Sequence, residues 1–383
     1  MSLRNDMEDR KKYLNNITSM VIKIGSSSLA SESGGIDIGN LEKFTDEVSE
    51  AVSRGIKIII VTSGAIAAGL QHLDIKGKPR EISVLQAAAS VGQVELMSIY
   101  GNLLTRHGIK IGQILVTQED TTRREQYLNI KNTISNLMEL GIVPVINEND
   151  SVAVDEIKFG DNDVLAALVA SLIESDLLVI LSDVDGLYDR SPSQDGARVV
   201  PMVKKVTGEI EQVAGGIGSI YGSGGMASKI KAAKICSYSG IGMVIANSRE
   251  KVVIGKILDG MDIGTFFVPE KEKKVKSVKR WIAFGMRAKG SVVIDKGAEK
   301  AIVKNGKSLL PVGVVKASGN FNRGDTLKVY SMDNQLIAKG ISNFSKKELA
   351  RVKGKKENQV IAELGESTSC EVIHRDCMAV FKS

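Results

Sequence analysis

The chain has 383 residues, 43% of them hydrophobic and 25% charged, with three cysteines and a formal net charge of +6. This is an ordinary soluble composition, long enough for two or three domains. Three cysteines in a chain of this length argue against a disulfide framework and for a reducing compartment, which we take to be the cytoplasm. The longest strictly aliphatic run, "IIIV" at 58–61, is far shorter than the roughly 20 residues that a membrane span needs. The opening "MSLRNDMEDRKKYLNN" lacks the apolar core of a signal peptide, and its first three residues read as an added leader.

In chain order, the expected strands are "MVIKI" (20–24), "IKIIIVT" (56–62), "GQILVT" (112–117), "VPVIN" (143–147), "LLVILS" (177–182) and "GMVIAN" (242–247). Amphipathic stretches at 40–53, 83–106, 127–140, 162–174 and 226–239 fall between them. Strands that read as continuous apolar runs are buried on both faces. Their alternation with helices predicts an α/β fold with a parallel sheet covered by helices. Ligands of such folds bind beyond the carboxyl ends of the strands.

The charge balance changes near residue 270. From Glu270 to Ser383 there are 24 Lys and Arg against 12 Asp and Glu, whereas the rest of the chain has 27 against 33. The charged stretch "EKEKKVKSVKR" (270–280) reads as a linker between two modules with different partners. Beyond it, short runs such as "GSVVIDKGAEKAI" and "CEVIHRDCMAVF", separated by Gly, Asn and Asp turns, predict a small, mainly β barrel of about 100 residues.

The strand ends carry the chemistry. "KIGSSSL" places Lys23 inside the first strand, with Gly25 and three serines after it, and "TSGAIAAG" opens a helix at Ser63-Gly64-Ala65. Small residues in such turns let a phosphate approach backbone N–H groups, and a helix N-terminus favours negative charge. Tight packing of strand on helix accounts for a single glycine. It does not account for a lysine within an apolar strand, because a buried ammonium is costly without an anion.

"INENDSVAV" carries Asn147, Glu148, Asn149 and Asp150, and "FGDNDVLAALVA" sets Asp161, Asn162 and Asp163 at a helix start. Helix capping explains one of these residues. The remainder suits an amino group, a metal ion, or both. In "SDVDGLYDRSP", Ser182 and Asp183 lie where the phosphates or ribose of a nucleotide can rest. "YGSGGMASKIKAAK" (221–234) is a glycine-rich loop leading into a helix with Lys229. His72, His107 and His374 lie away from all these segments in sequence. That argues against an imidazole base and fits phosphoryl transfer, where positioning and charge neutralisation supply most of the catalysis.

Two motifs fail. "AIVKNGKS" (301–308) has Ala301 where a phosphate-binding loop needs its first glycine, and the helix-like run precedes it instead of following. Cys370, His374 and Cys377 lack a fourth zinc ligand and sit in a strand-like run.

Five blocks taken together, "VIKIGSSSL", "VTSGAIAAG", "VINENDSV", "FGDNDVLAALVA" and "GSGGMASKIKAAK", resemble the amino acid kinase family, and in particular its glutamate-phosphorylating members with a C-terminal PUA domain. The resemblance covers about residues 17 to 375. It implies a three-layer α/β sandwich with a mainly parallel open sheet over 17–268, a charged linker at 269–280 and a β-barrel-like PUA domain at 281–375. It further implies ATP and L-glutamate as substrates, Mg²⁺ with the ATP, L-glutamyl 5-phosphate as product, inhibition by proline, and a homodimer or homotetramer. No metal-ligating residue is assigned.

By the same resemblance, Lys23 and Lys229 neutralise the ATP phosphates and Asp163 orients them. Ser63, Asp150 and Asn162 bind glutamate, with Asn147 and Asp161 in the same wall. Gly25, Ser182, Asp183 and the run Ser223, Gly224, Gly225, Met226, Ala227, Ser228 and Lys229 form the nucleotide site, with serine at 182, 223 and 228 where threonine is common. A second reading is RNA binding through the basic C-terminal module, although that module has few aromatic residues for stacking.

Overall fold

A computed structural model describes residues 2–31, 35–75, 77, 79–117, 120, 123–153, 162–211, 225–270, 277–365 and 370–381. The chain divides into two compact units, Met1–Lys274 and Val275–Ser383.

In the first unit, the six apolar runs are strands: β1 (Ser19–Ile24), β2 (Lys57–Val61), β3 (Lys110–Val116), β4 (Ile142–Glu148), β5 (Leu177–Ser182) and β7 (Gly242–Asn247). Two short strands, β6 (Met202–Val203) and β8 (Thr265–Phe267), complete an eight-stranded sheet of order β3-β4-β2-β1-β5-β7-β8-β6. All neighbours are parallel except β7 and β8. Every residue of β5 is buried, as double coverage of a continuous apolar run requires. On one face Met20, Ile22 and Ile24 of β1 pack with Leu41, Phe44 and Val48 of the helix Ile38–Ser53 and with Leu96 and Tyr100 of the helix Ile82–Thr105. The opposite face lies under the helix Asn162–Ile173, which in turn packs on the helix Met226–Ser239.

Nothing in the sequence pattern announces β6, β8 or the helix Ser2–Leu14. Strands of two and three residues are too short to show a period, and the N-terminal helix is polar over most of its length. It is fixed by wholly buried Leu14 and by Arg10, whose guanidinium donates to Asp262 Oδ1 at 3.0 Å and to the Pro201 and Ile263 carbonyls. The helix Ile82–Thr105 is long and apolar enough in composition to cross a membrane, yet its Leu96, Tyr100 and Leu104 belong to the sheet core.

One close approach sets the geometry beside the strand ends. The helix Ala65–His72, which begins just after β2, crosses the helix Ile82–Thr105 at Gly69 and Gly92. A Cβ on Gly92 would lie 1.9 Å from the Ala65 carbonyl oxygen, and one on Gly69 would lie 1.7 Å from the Ala88 carbonyl oxygen.

The second unit holds a five-stranded sheet of order β10-β9-β11-β12-β13, built from Ala288–Ile294, Val314–Gly319, Thr326–Tyr330, Leu336–Ile341 and Met378–Val380 as β9 to β13. Only β9 and β11 pair in parallel, and register shifts in three pairings are bulges that bend the strands. Its own core includes Val292, Phe321, Leu327, Val329 and Phe344. Residues 277–280, read from sequence as linker, form a helical turn, and Arg280 within it is buried. The helix Lys296–Val303 precedes and overlaps the first three residues of the phosphate-loop look-alike at 301–308, the reverse of what a phosphate loop requires.

The contact at Gly92 is backbone on backbone, so no rotamer change relieves it. Gly92→Ala should cost at least about 1–3 kcal/mol, read as a lowered Tm, and should disturb Ser63 at the start of the neighbouring helix. Wild-type Tm in this variant would refute the crossing.

Candidate active site

The expected site residues gather at the carboxyl ends of β1, β2, β4 and β5 and at the starts of two helices. Lys23 is the fifth residue of β1, in register with Val61 of β2 and Ile180 of β5. Strand alternation turns Ile22 and Ile24 into the core cluster and Lys23 to the other face, beneath the helix that starts at Asn162. There Lys23 Nζ meets Asp163 Oδ1 at 2.6 Å. Lys229, in the first turn of the helix Met226–Ser239, donates from Nζ to Asp163 Oδ2 at 2.9 Å. Ser228 donates from Oγ to the same oxygen at 2.8 Å. The three charged residues are 7%, 1% and 5% exposed for Lys23, Asp163 and Lys229.

Burial by itself would raise the Asp163 carboxyl. The charges and hydrogen bonds of Lys23 and Lys229 oppose it and hold the group below its ordinary value. Gly25 packs against this pair, since a Cβ there would lie 3.3 Å from Lys23 Nζ. Its N–H donates to the Leu181 carbonyl at 3.3 Å, which ties the end of β1 to β5. Ser182, buried at the end of β5, donates from Oγ to exposed Asp183 at 3.0 Å. Gly225 is the N-cap of the Lys229 helix without a side-chain cap, and Met226 and Ala227 are its first residues. A helix start of this kind favours an anion.

A chain of amides runs beside the lysine pair. Asn162 donates from Nδ2 to the Thr62 carbonyl (2.8 Å), Ser63 Oγ (2.8 Å) and Asn147 Oδ1 (3.1 Å). Asn147 Oδ1 also accepts from the Glu148 N–H at 2.9 Å, and its Nδ2 donates to Gln93 Oε1 at 2.8 Å. Asp150 lines a cavity of about 320 Å³ together with Gln93, Glu148, Asn149 and Ser151.

The structure thus brings together Lys23, Gly25, Asp163, Ser228 and Lys229 in one cluster and Ser63, Asn147 and Asn162 in another. Asp161, Ser223 and Gly224 lie outside the described residues. Sequence reasoning missed Gln93, although it falls on the buried stripe of its helix with Leu85, Ala89, Leu96 and Tyr100. A polar residue on an apolar stripe was the signal. Asp185, beside Asp183 after β5, accepts from Asn247 Nδ2 and from the Tyr188 hydroxyl, each at 2.8 Å. The histidines pair with other partners: His72 with Glu95, His107 with Asp46, and His374 with Glu371 and Asp376. Among the described residues no group of three or more His, Cys, Asp or Glu side chains could hold a metal ion.

Because the folded Asp163 carboxyl is lowered, its stabilising contribution is complete above about pH 4 and is lost as pH falls through the folded value. Asp163→Asn leaves two buried ammonium groups without their carboxylate. It should cost about 3–5 kcal/mol at pH 7 and should remove this acid-limb dependence. Calorimetry from pH 3 to 7 would show both, and an unchanged acid limb would refute the coupling.

Comparison with known proteins identifies the family. The model of the amino acid kinase family matches residues 19–247, and that of the PUA domain matches 290–364. The glutamate 5-kinase of Thermoanaerobacter pseudethanolicus is 44% identical over 364 residues, covering 95% of this chain and 98% of the relative. That of Syntrophus aciditrophicus is 44% identical over 376 residues, with 98% and 97% covered, and that of Methanosarcina barkeri is 44% identical over 387, with 98% and 100% covered. With a family match over more than half its length and full-length relatives at this identity, the chain belongs to the amino acid kinase family.

Proposed function

We propose that the chain transfers the γ-phosphoryl group of ATP to the side-chain carboxylate of L-glutamate, giving ADP and L-glutamyl 5-phosphate, the first intermediate of proline synthesis. The observation that carries this reading is the meeting of Lys23 and Lys229 on the two oxygens of Asp163, one residue from the amide chain at Asn162. A side-chain carboxylate is ionised at pH 7, so the acceptor needs no general base. One of its oxygens forms the new P–O bond as the bond between the γ-phosphorus and the β,γ-bridging oxygen breaks, and the electron pair leaves with ADP. The obstacle is the approach of an anion to a polyanion. Lys23 and Lys229 lower that obstacle, and Asp163 keeps them at fixed positions, so that little reorganisation is needed during the reaction. An ammonium has three N–H donors, so anchoring on Asp163 does not exhaust either lysine. The start of the Lys229 helix and the turn at Gly25 supply backbone N–H groups for the remaining phosphate oxygens. The amide chain with Ser63 and Asp150 receives the amino-acid end of glutamate.

Mg²⁺ fits this site as an ion carried by ATP. It keeps phosphate oxygens and water in its shell and needs few protein carboxylates, and Asp163 is already engaged while Asp183 at the end of β5 is exposed. When bound, it supplies further charge neutralisation on the phosphates. Proline shares the ammonium and α-carboxylate of glutamate but has no side-chain carboxylate to phosphorylate, so it serves as an inhibitor at the same wall. We place the protein in the cytoplasm, in keeping with three free cysteines, and the family resemblance suggests a homodimer or homotetramer.

RNA binding by the second unit is supported by its excess of basic residues, whereas its cavity of about 620 Å³ is lined by Asp295 and Glu371 as well as by Lys307, His374 and Arg375. The only tryptophan, Trp281, is buried and offers no stacking platform. A gel-shift titration with tRNA should give weak binding, and a tight complex with a steep salt slope would promote RNA to the main partner.

With ATP and Mg²⁺, the purified protein should release ADP in the presence of L-glutamate, and much less with N-acetylglutamate or aspartate. Lys23→Ala and Lys229→Ala should each lower kcat about 10²- to 10³-fold. Near-normal turnover in either variant would remove that lysine from the mechanism.

A further inference from the structure

The amide chain has a direction. Asn147 Oδ1 accepts from both the Glu148 backbone N–H and Asn162 Nδ2, itself fixed as a donor by the Thr62 carbonyl, so the Asn147 amide cannot be turned over without setting its NH2 against two N–H donors. Its Nδ2 must therefore face Gln93, and Gln93 must present Oε1 to it. That leaves Gln93 Nε2 as the terminal donor. It is buried and has no hydrogen-bond partner among the described residues, although Gln93 is only 8% exposed. At the other end, Asn162 Oδ1 is a buried acceptor, also without a partner among the described residues. Buried polar groups are almost always satisfied, so two unmet groups at the ends of one chain point to something they bind. A donor at one end and an acceptor at the other is the complement of a zwitterion.

Gln93 lines the 320 Å³ cavity that also includes Glu148 and Asp150. The acidic side chains there favour an ammonium. The amide donor of Gln93 supplies what a carboxylate needs in the same space. We propose that Gln93 is a substrate-binding residue that selects α-amino acids: its Nε2 donates to the α-carboxylate of bound glutamate, while Asn162 Oδ1 and Asp150 receive the α-ammonium. This rests on glutamate phosphorylation as the reaction. Asn162 and Asp163 are successive residues at one helix start, which sets the amide chain and the lysine pair next to one another. The bond from Gln93 is made equally in the ground and transition states, and it therefore acts on KM, not on kcat.

Gln93→Glu removes the donor. It keeps the shape and the oxygen that accepts from Asn147, replaces Nε2 with an oxygen and adds a negative charge, for which the uncharged Gln93→Met is the control. In steady-state assays, KM for L-glutamate should rise about 10- to 100-fold, the range of a hydrogen bond to a charged group, with kcat within about threefold. The comparison ligand is 4-aminobutyrate, which retains the ammonium and the carboxylate to be phosphorylated but lacks the α-carboxylate. Its inhibition constant against glutamate should be nearly the same in wild type and variant. Gln93→Met, which lacks both polar atoms, should show the same separation of the two ligands, and its Tm reports folding. An unchanged KM for glutamate, an equal loss for both ligands, or a fall confined to kcat would overturn the assignment. A wild-type protein that turns over no glutamate would overturn the reaction itself, which separates the two failures.

Discussion

The structure depends on a buried triad in which two ammonium groups share one carboxylate. Taking three charges out of water is expensive, and a buried ion pair roughly breaks even unless each oxygen and each proton finds a partner. Asp163 meets that condition on its own side, with Lys23 on one oxygen and Lys229 and Ser228 on the other. The triad itself still carries one positive charge more than negative. Such an excess is costly in a dry site and becomes favourable when an anion arrives. In the reaction we propose, a phosphoryl group in transfer is that anion.

The fold delivers the triad from three places distant in the chain. β1 brings Lys23 to the centre of the sheet, between β2 and β5, and the parallel topology puts its carboxyl end beside theirs. The helix Asn162–Ile173 covers that face and begins with Asn162 and Asp163, so a single helical turn serves both the amide chain and the lysine pair. The helix Met226–Ser239 packs alongside and adds Lys229 from its first turn. The glycine crossing of the two helices near β2 lets Ser63 and Gln93 come close to Asn162 and Asn147. A methyl group at that crossing would separate the elements that hold the two ends of the amide chain.

Much of this was legible in the residues. The six principal strands were readable because a strand covered on both faces has to be apolar throughout, and a run such as "LLVILS" is too short for a helix of the same composition. Lys23 stood out because it interrupts such a run. The acid and amide clusters stood out because they exceed what capping needs. The helix at 2–14 and strands β6 and β8 were not readable, since their stability comes from contacts such as Arg10 with Asp262 and not from a local period. Gln93 carries a local signal, a polar residue on an apolar helical stripe, but its partner Asn147 lies 54 residues away and no local pattern names it.

The sequence by itself determined the six principal strands, the amphipathic helices between them and which residue types stand at their ends, because burial and capping act over a few neighbouring positions. It also determined the family, through five blocks in a fixed order. Only the tertiary structure decided that Lys23 and Lys229 reach opposite oxygens of one carboxylate, and that Asn162, Asn147 and Gln93 form a directed chain. Those pairings follow from strand order and helix crossing, which bring together residues far apart in the chain, and no local pattern encodes a distance between them.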